Sequence, residues 1–174
     1  MAAATGGALP APRTIRGRFY RYQPIRYTTL GGSSRGGRYS PPAQLLAIYL
    51  GRPLESVAAE AYRHLVDPED LDPAMVAAQR LFEVDVALAR VLDLRGDDAR
   101  ESCGITAADL SGGYERGQAL GREAFADGYQ GVLAPSAAGL GETLCVFADR
   151  VAPTDLRVVD QRPWELPADP RPRT

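Results

Sequence analysis

Three residues able to act on a charged ligand stand in one stretch, GGRYSPPAQLLAIYLGRPLESVAAE, which runs from Gly36 to Glu60. The Gly36–Gly37 pair lets the backbone approach a ligand with no Cβ in the way. Arg38 follows with a guanidinium, a donor fork that suits phosphate or carboxylate. Tyr49 adds a ring with a polar tip, and Glu60 adds a carboxylate on a segment with helical spacing. Together they read as one side of a site for a phosphate-containing ligand. The even spacing, eleven residues from Arg38 to Tyr49 and eleven more to Glu60, has no chemical meaning of its own.

The surrounding pattern predicts the elements that hold these groups. Arg18 to Tyr22, RFYRY, is aromatic-rich and reads as a first strand that points Arg21 and Tyr22 to opposite faces. A Gly- and Ser-rich loop leads to Arg38, and Pro41–Pro42 forces an extended path after it. Ala47 to Leu50 reads as a short buried strand. Beyond Pro53, the residues Leu54, Val57, Ala58, Ala61 and Leu65 form one helical stripe, with Glu60 at its border. Leu81 to Leu88 alternates as a half-buried strand, which Val91 to Leu94 extends or follows with another. Gly96 to Gly104 reads as a loop, and Thr106 to Asp109 as the opening of a short helix.

Tyr114 to Ala126 reads as a helix whose Gly117 and Gly121 imply close packing against a sheet. Gly128 ends it in the left-handed region. Gly131 to Ser136, Thr143 to Phe147 and Leu156 to Asp160 complete the strands. The fold class is α+β, a single domain with a mixed, largely antiparallel split sheet and flanking helices. Its expected boundaries are a flexible segment 1–14, a domain 15–160, and a Pro-rich tail 161–174.

Composition narrows the function classes. At 174 residues and 45% apolar content, the chain can bury one ordinary core. A net charge of −2 makes no electrostatic case for nucleic acid or an anionic membrane. All 20 basic residues are Arg, so position must argue for each one. Cys103 and Cys145 are too few and too far apart for a zinc site or disulfide framework, and no metal is expected. Reduced thiols point to the cytoplasm, and neither a secretion signal nor a membrane span is expected.

No P-loop, GxGxxG, HExxH or GxSxG motif is present. The lone His64 reads as a surface residue on a helix edge. What remains is Arg21, Tyr22, Arg38, Tyr49, Glu60 and Ser136, each near a strand end, a loop or a helix edge. Each has a plainer reading as well: an exposed strand cation, a core aromatic, a solvated helix carboxylate, a turn serine.

The order of short motifs adds to this. FYRY (Phe19 to Tyr22), GGRYS (Gly36 to Ser40), IYLG (Ile48 to Gly51), the helix with Glu60, LDL (Leu92 to Leu94), DGYQG (Asp127 to Gly131) and APSAA (Ala134 to Ala138) follow one another. In this order they resemble the RES-domain family, toxins of bacterial toxin–antitoxin pairs named for an Arg, a Glu and a Ser. The resemblance covers about three quarters of the chain. Tyr39 and Ser40 stand where the family often has Trp and Asn.

The resemblance implies a fold of the ADP-ribosyltransferase type and an enzyme that cleaves NAD, with NAD as substrate and no resident cofactor. It implies that Glu60 and Arg38 are catalytic. Arg21 would join Arg38 on the pyrophosphate, Tyr22 or Tyr49 would stack on nicotinamide, and Ser136 would donate to the carboxamide, a ribose hydroxyl or a phosphate. The acceptor stays open between water, inorganic phosphate as co-substrate (with Arg26 and Arg35 as spare cations), and a protein or metabolite. The implied partner is an antitoxin with a helix-turn-helix, Xre-like DNA-binding domain. A non-catalytic nucleotide-binding domain is the reading from another class.

Overall fold

Six strands and four α-helices form in the computed structural model, which describes residues 7–173. They are β1 (Arg13–Pro24), β2 (Ala47–Arg52), α1 (Leu54–Ala61), β3 (Gln79–Asp93), α2 (Asp97–Ser102), α3 (Ala107–Ser111), α4 (Glu115–Ala126), β4 (Gly131–Pro135), β5 (Glu142–Phe147) and β6 (Leu156–Trp164). The α+β arrangement is therefore the one the pattern predicts. Alternation decides the strands: in β3, Phe82, Val84, Val86 and Leu88 are buried between half-buried Glu83, Asp85 and Ala87.

The strands order as β1-β2-β5-β4-β3-β6, and β1 pairs with β3 as well. Five strands thus close into a ring, and β6 extends it outside β3. Only β3 and β4 run parallel; every other pairing is antiparallel. The expected antiparallel bias holds, but the sheet is one closed ladder rather than a split one. The length of β3, 15 residues, is the reason. One of its edges serves β1 from Arg13↔Val91 to Pro24↔Gln79. The other serves β6 up to Val86 and then β4 from Val91 onward.

Closure produces two cores. Ile15 and Phe19 of β1, Ile48 and Leu50 of β2, Phe82, Val84, Val86, Leu88 and Val91 of β3, Leu133 of β4, and Leu144 and Val146 of β5 fill the interior of the ring. The outer face of β4 and β5 packs through Val132, Cys145 and Phe147 against Ile105, Leu120 and Ala124 under the helices. Both cysteines are buried and free.

Several expectations change. β1 begins at Arg13, inside the segment assigned to flexibility, whereas residues 1–6 lie outside the described ones. The stretch from Gly96 to Gly104 is not a loop throughout: it contains α2, tied down by Arg100 donating to the carbonyls of Leu94 and Arg95. β6 runs on to Trp164, and the residues beyond it pack on the protein. Tyr62 donates to the Pro167 carbonyl at 2.7 Å, and Arg171 forms a forked pair with Asp67. Gly117 and Gly121 face a loop rather than the sheet. A Cβ at Gly121 would lie 1.9 Å from the Tyr39 carbonyl oxygen, and one at Gly117 2.4 Å from that of Arg38.

Candidate functional site

A cleft of about 450 Å³ opens where β1 and β2 part. Their ladder has a single paired position, Tyr20↔Gly51, and farther along β2 Ala47 bridges Ser33 instead of β1. Arg21 crosses that gap: its Nη1 donates to the Tyr49 carbonyl at 2.9 Å, and its Nε to Gln23 at 3.4 Å. Burial lowers the pKa of this guanidinium from its usual value.

Arg38 is 8% exposed and enters from the loop that α4 supports. Its Nη1 donates to the carbonyls of Asp109 at 2.8 Å and Gly112 at 3.0 Å, and its guanidinium lies 4.8 Å from the Tyr114 ring centre. Only Gly fits at position 37, where a Cβ would meet the Tyr49 hydroxyl at 2.5 Å. That hydroxyl accepts from the Tyr39 amide at 3.0 Å and pairs with Ser40 Oγ at 2.8 Å. Burial raises the Tyr49 pKa far above the usual phenol range. Tyr49 therefore works as a neutral strut under the GGRYS turn, with its ring on the cleft.

Glu60 projects from α1 on the opposite wall. Its Oε1 accepts from Ser136 Oγ at 2.7 Å and from the Ala138 amide at 3.1 Å. The loop after β4 thus holds one carboxylate oxygen and leaves the other toward Arg63 (3.6 Å) and His64 (3.8 Å). Tyr22 faces the same region; its hydroxyl lies 3.4 Å from His64 Nδ1, and its ring stands 5.8 Å from that of Trp164. Burial, with Glu60 next, pushes its pKa up to about 12.

Arg21, Tyr22, Arg38, Tyr49 and Glu60 all line this cleft, and Ser136 sits directly behind Glu60. Among the described residues, four buried side-chain polar atoms lack a hydrogen-bond partner: Arg38 Nη2, Tyr39 Oη, Ser56 Oγ and Gln79 Oε1. All four belong to residues that line the cleft. No group of three or more His, Cys, Asp or Glu is arranged to hold a metal among the described residues.

A model of the RES domain matches residues 11–169. The chain belongs to the RES-domain family. The NAD(+) phosphorylase MbcT of Mycobacterium tuberculosis is 34% identical to it over 144 residues, 80% of this chain and 77% of that protein. MbcT of Mycobacterium bovis matches to the same extent. The crystal structure of the M. tuberculosis MbcT–MbcA toxin–antitoxin complex superposes with a TM-score of 0.79 at 30% identity, over 88% of this chain and 87% of that one.

The structure adds to the reading of individual residues. His64 is exposed, as its place on a helix edge predicts, and its imidazole also lines the cleft between Tyr22 and Glu60. Burial lowers its pKa below 6.5, against the opposing pull of Glu60. Arg26 and Arg35 are exposed and outside the cleft lining, whereas Arg63 is part of it. Arg63 and His64 stand three and four residues after Glu60, the spacing that shares a helix face, and that was the signal available for them. Gln79 and Tyr114 carry no local signal. No helix among the described residues is long and apolar enough to cross a membrane.

Proposed function

We propose that this RES-domain protein is the toxin of a toxin–antitoxin pair, cleaving the nicotinamide–ribose bond of NAD and passing ADP-ribose to inorganic phosphate. One observation carries the reading: a carboxylate held by Ser136 and the Ala138 amide on a cleft wall, in a chain 34% identical to an NAD(+) phosphorylase. Breaking a glycosidic C–N bond builds positive charge on the ribose, as in glycoside cleavage. A carboxylate already oriented toward that ring stabilises the charge without reorganising, which is the role assigned to Glu60.

Arg21 and Arg38, on the opposite wall, take the pyrophosphate. The rings of Tyr22 and Tyr49 flank the nicotinamide. Ser136 acts by fixing Glu60. The finer fold reading, ADP-ribosyltransferase-like, goes with this chemistry. So do an antitoxin partner with a helix-turn-helix, Xre-like domain and a cytoplasmic location.

Incubation of the purified, antitoxin-free protein with NAD, with and without phosphate, tests the proposal. NAD loss that requires phosphate and yields ADP-ribose 1″-phosphate is expected. Glu60→Gln should lower that rate about 100-fold or more while leaving the circular-dichroism spectrum intact. ADP-ribose as product would make the protein a glycohydrolase, and label carried to a macromolecule would make it an ADP-ribosyltransferase. Nucleotide binding without turnover would sink the enzymatic reading.

A further inference from the structure

The acceptor in this reaction needs a place of its own. A phosphate dianion that attacks the anomeric carbon must come close to Glu60, and two negative charges at that distance repel. Water meets no such obstacle. A cleft that favours phosphate over water therefore needs a cation on the Glu60 side, reachable from solvent and not committed elsewhere.

Three arginines line the cleft. Arg21 is engaged with the Tyr49 carbonyl and Gln23 on the β1–β2 side. Arg38 is buried on the carbonyls of Asp109 and Gly112. Arg63 differs from both. Its Nη1 lies 3.6 Å from Glu60 Oε2, and its one side-chain hydrogen bond among the described residues, to the Ser111 carbonyl, is long at 3.4 Å. Its side chain is 30% exposed, against 17% for Glu60. The opposite oxygen of Glu60 is the one held by Ser136 and Ala138, so Arg63 meets the free side of the carboxylate.

We infer that Arg63 is the acceptor-binding residue, a guanidinium at the mouth of the cleft that holds inorganic phosphate beside Glu60 and so selects phosphate over water. The inference rests on the phosphorolysis reading above. In the step it serves, a phosphate oxygen forms a bond to C1′ of the nicotinamide-bearing ribose. The C1′–N1 bond breaks, and its electron pair stays on the pyridinium nitrogen, which becomes neutral. The phosphate gives up no proton in the step, so no general base is required. A guanidinium presents paired donors to the phosphate and at the same time offsets the charge of Glu60. The plainer role, an intrahelical ion pair three residues apart, predicts an effect on stability alone and a small one.

Steady-state kinetics with phosphate and NAD varied independently separate the two. Arg63→Gln should raise the KM for phosphate about tenfold or more, because it removes a charge-assisted contact. The KM for NAD should stay within about twofold. The ratio of ADP-ribose 1″-phosphate to ADP-ribose should fall, and Arg63→Lys, a point charge without the fork, should recover part of both effects. In the unsubstituted protein, sulfate should compete with phosphate and not with NAD, which tests for a separate anion site without any substitution. An unchanged phosphate KM in Arg63→Gln, equal rises in both KM values, or sulfate competing with NAD would overturn the assignment. NAD loss in the unsubstituted protein that ignores phosphate would overturn the phosphorolysis reading, and Arg63's role with it.

Discussion

Glu60 and His64 lie 3.8 Å apart at the rim of the cleft, and the carboxylate acts on the imidazole. Burial disfavours the imidazolium more than the carboxylate favours it, so the pKa of His64 lies below 6.5. A histidine with a depressed folded-state pKa contributes stability above its unfolded value of about 6.5, and that contribution is lost as the pH falls through the folded value. At neutral pH the ring is therefore uncharged and leaves the charge of Glu60 to Arg63. The sequence holds one histidine, so its imidazole resonance in an NMR titration is unambiguous. The midpoint should fall below 6.5, and in Glu60→Gln it should fall further, because the group that pulls it up has lost its charge. A midpoint above 6.5 would mean that Glu60, not burial, governs this pair.

At the scale of elements, the site depends on two close approaches. α4 comes near enough to the Arg38–Tyr39 backbone that only glycine fits at positions 117 and 121. Gly51 in β2 likewise admits Val57 of α1, where a Cβ would lie 2.9 Å from Cγ2. The first contact sets Arg38; the second sets the helix that carries Glu60. Ala is the better helix former, so Gly121→Ala would stabilise an isolated α4 by about 1 kcal/mol. In the protein, the clash with the Tyr39 carbonyl should outweigh that gain and give a net loss of about 1–3 kcal/mol by urea denaturation. Gly31→Ala, in an exposed loop where no atom lies within 4 Å of the added Cβ, is the control and should change stability little. Equal stability of the two variants would show that the loop is not pressed against α4.

Across the whole molecule, the C-terminal segment ties the two walls of the cleft together. Trp164 packs by Tyr22 on the β1 side, while Pro167 and Arg171 bind Tyr62 and Asp67 just beyond α1. Truncation after Trp164 removes one hydrogen bond, one ion pair and the contact of the Arg171 guanidinium with the Tyr62 ring, a loss of about 1–2 kcal/mol. Truncation after Asp160 also strips the β6 residues that pair with Gln79 to Phe82, so it should lower the denaturation midpoint further. Equal midpoints for both truncations and the full chain would show that the segment contributes nothing to the fold.

The sequence by itself determined the pieces that local pattern encodes. Alternation marked β3, an apolar stripe marked α1, and Thr106 with Asp109 marked α3, where both arms of a capping box form. The six candidate residues were legible because each is a charged, aromatic or hydroxyl group at a strand end, a loop or a helix edge. Tertiary structure alone decided what those groups do to one another. Ser136 reaches Glu60 across 76 residues, and Arg38 reaches the Asp109 carbonyl across 71. Gln79 joins the cleft only because β3 closes the ring beside β1. Propensity and periodicity act over one or two turns of chain, whereas these contacts depend on strand order and on how closely helices approach the sheet. The residue types therefore announced a ligand site, but the commitment of Arg38 to backbone carbonyls and the placing of Arg63 beside Glu60 arise only in the folded molecule.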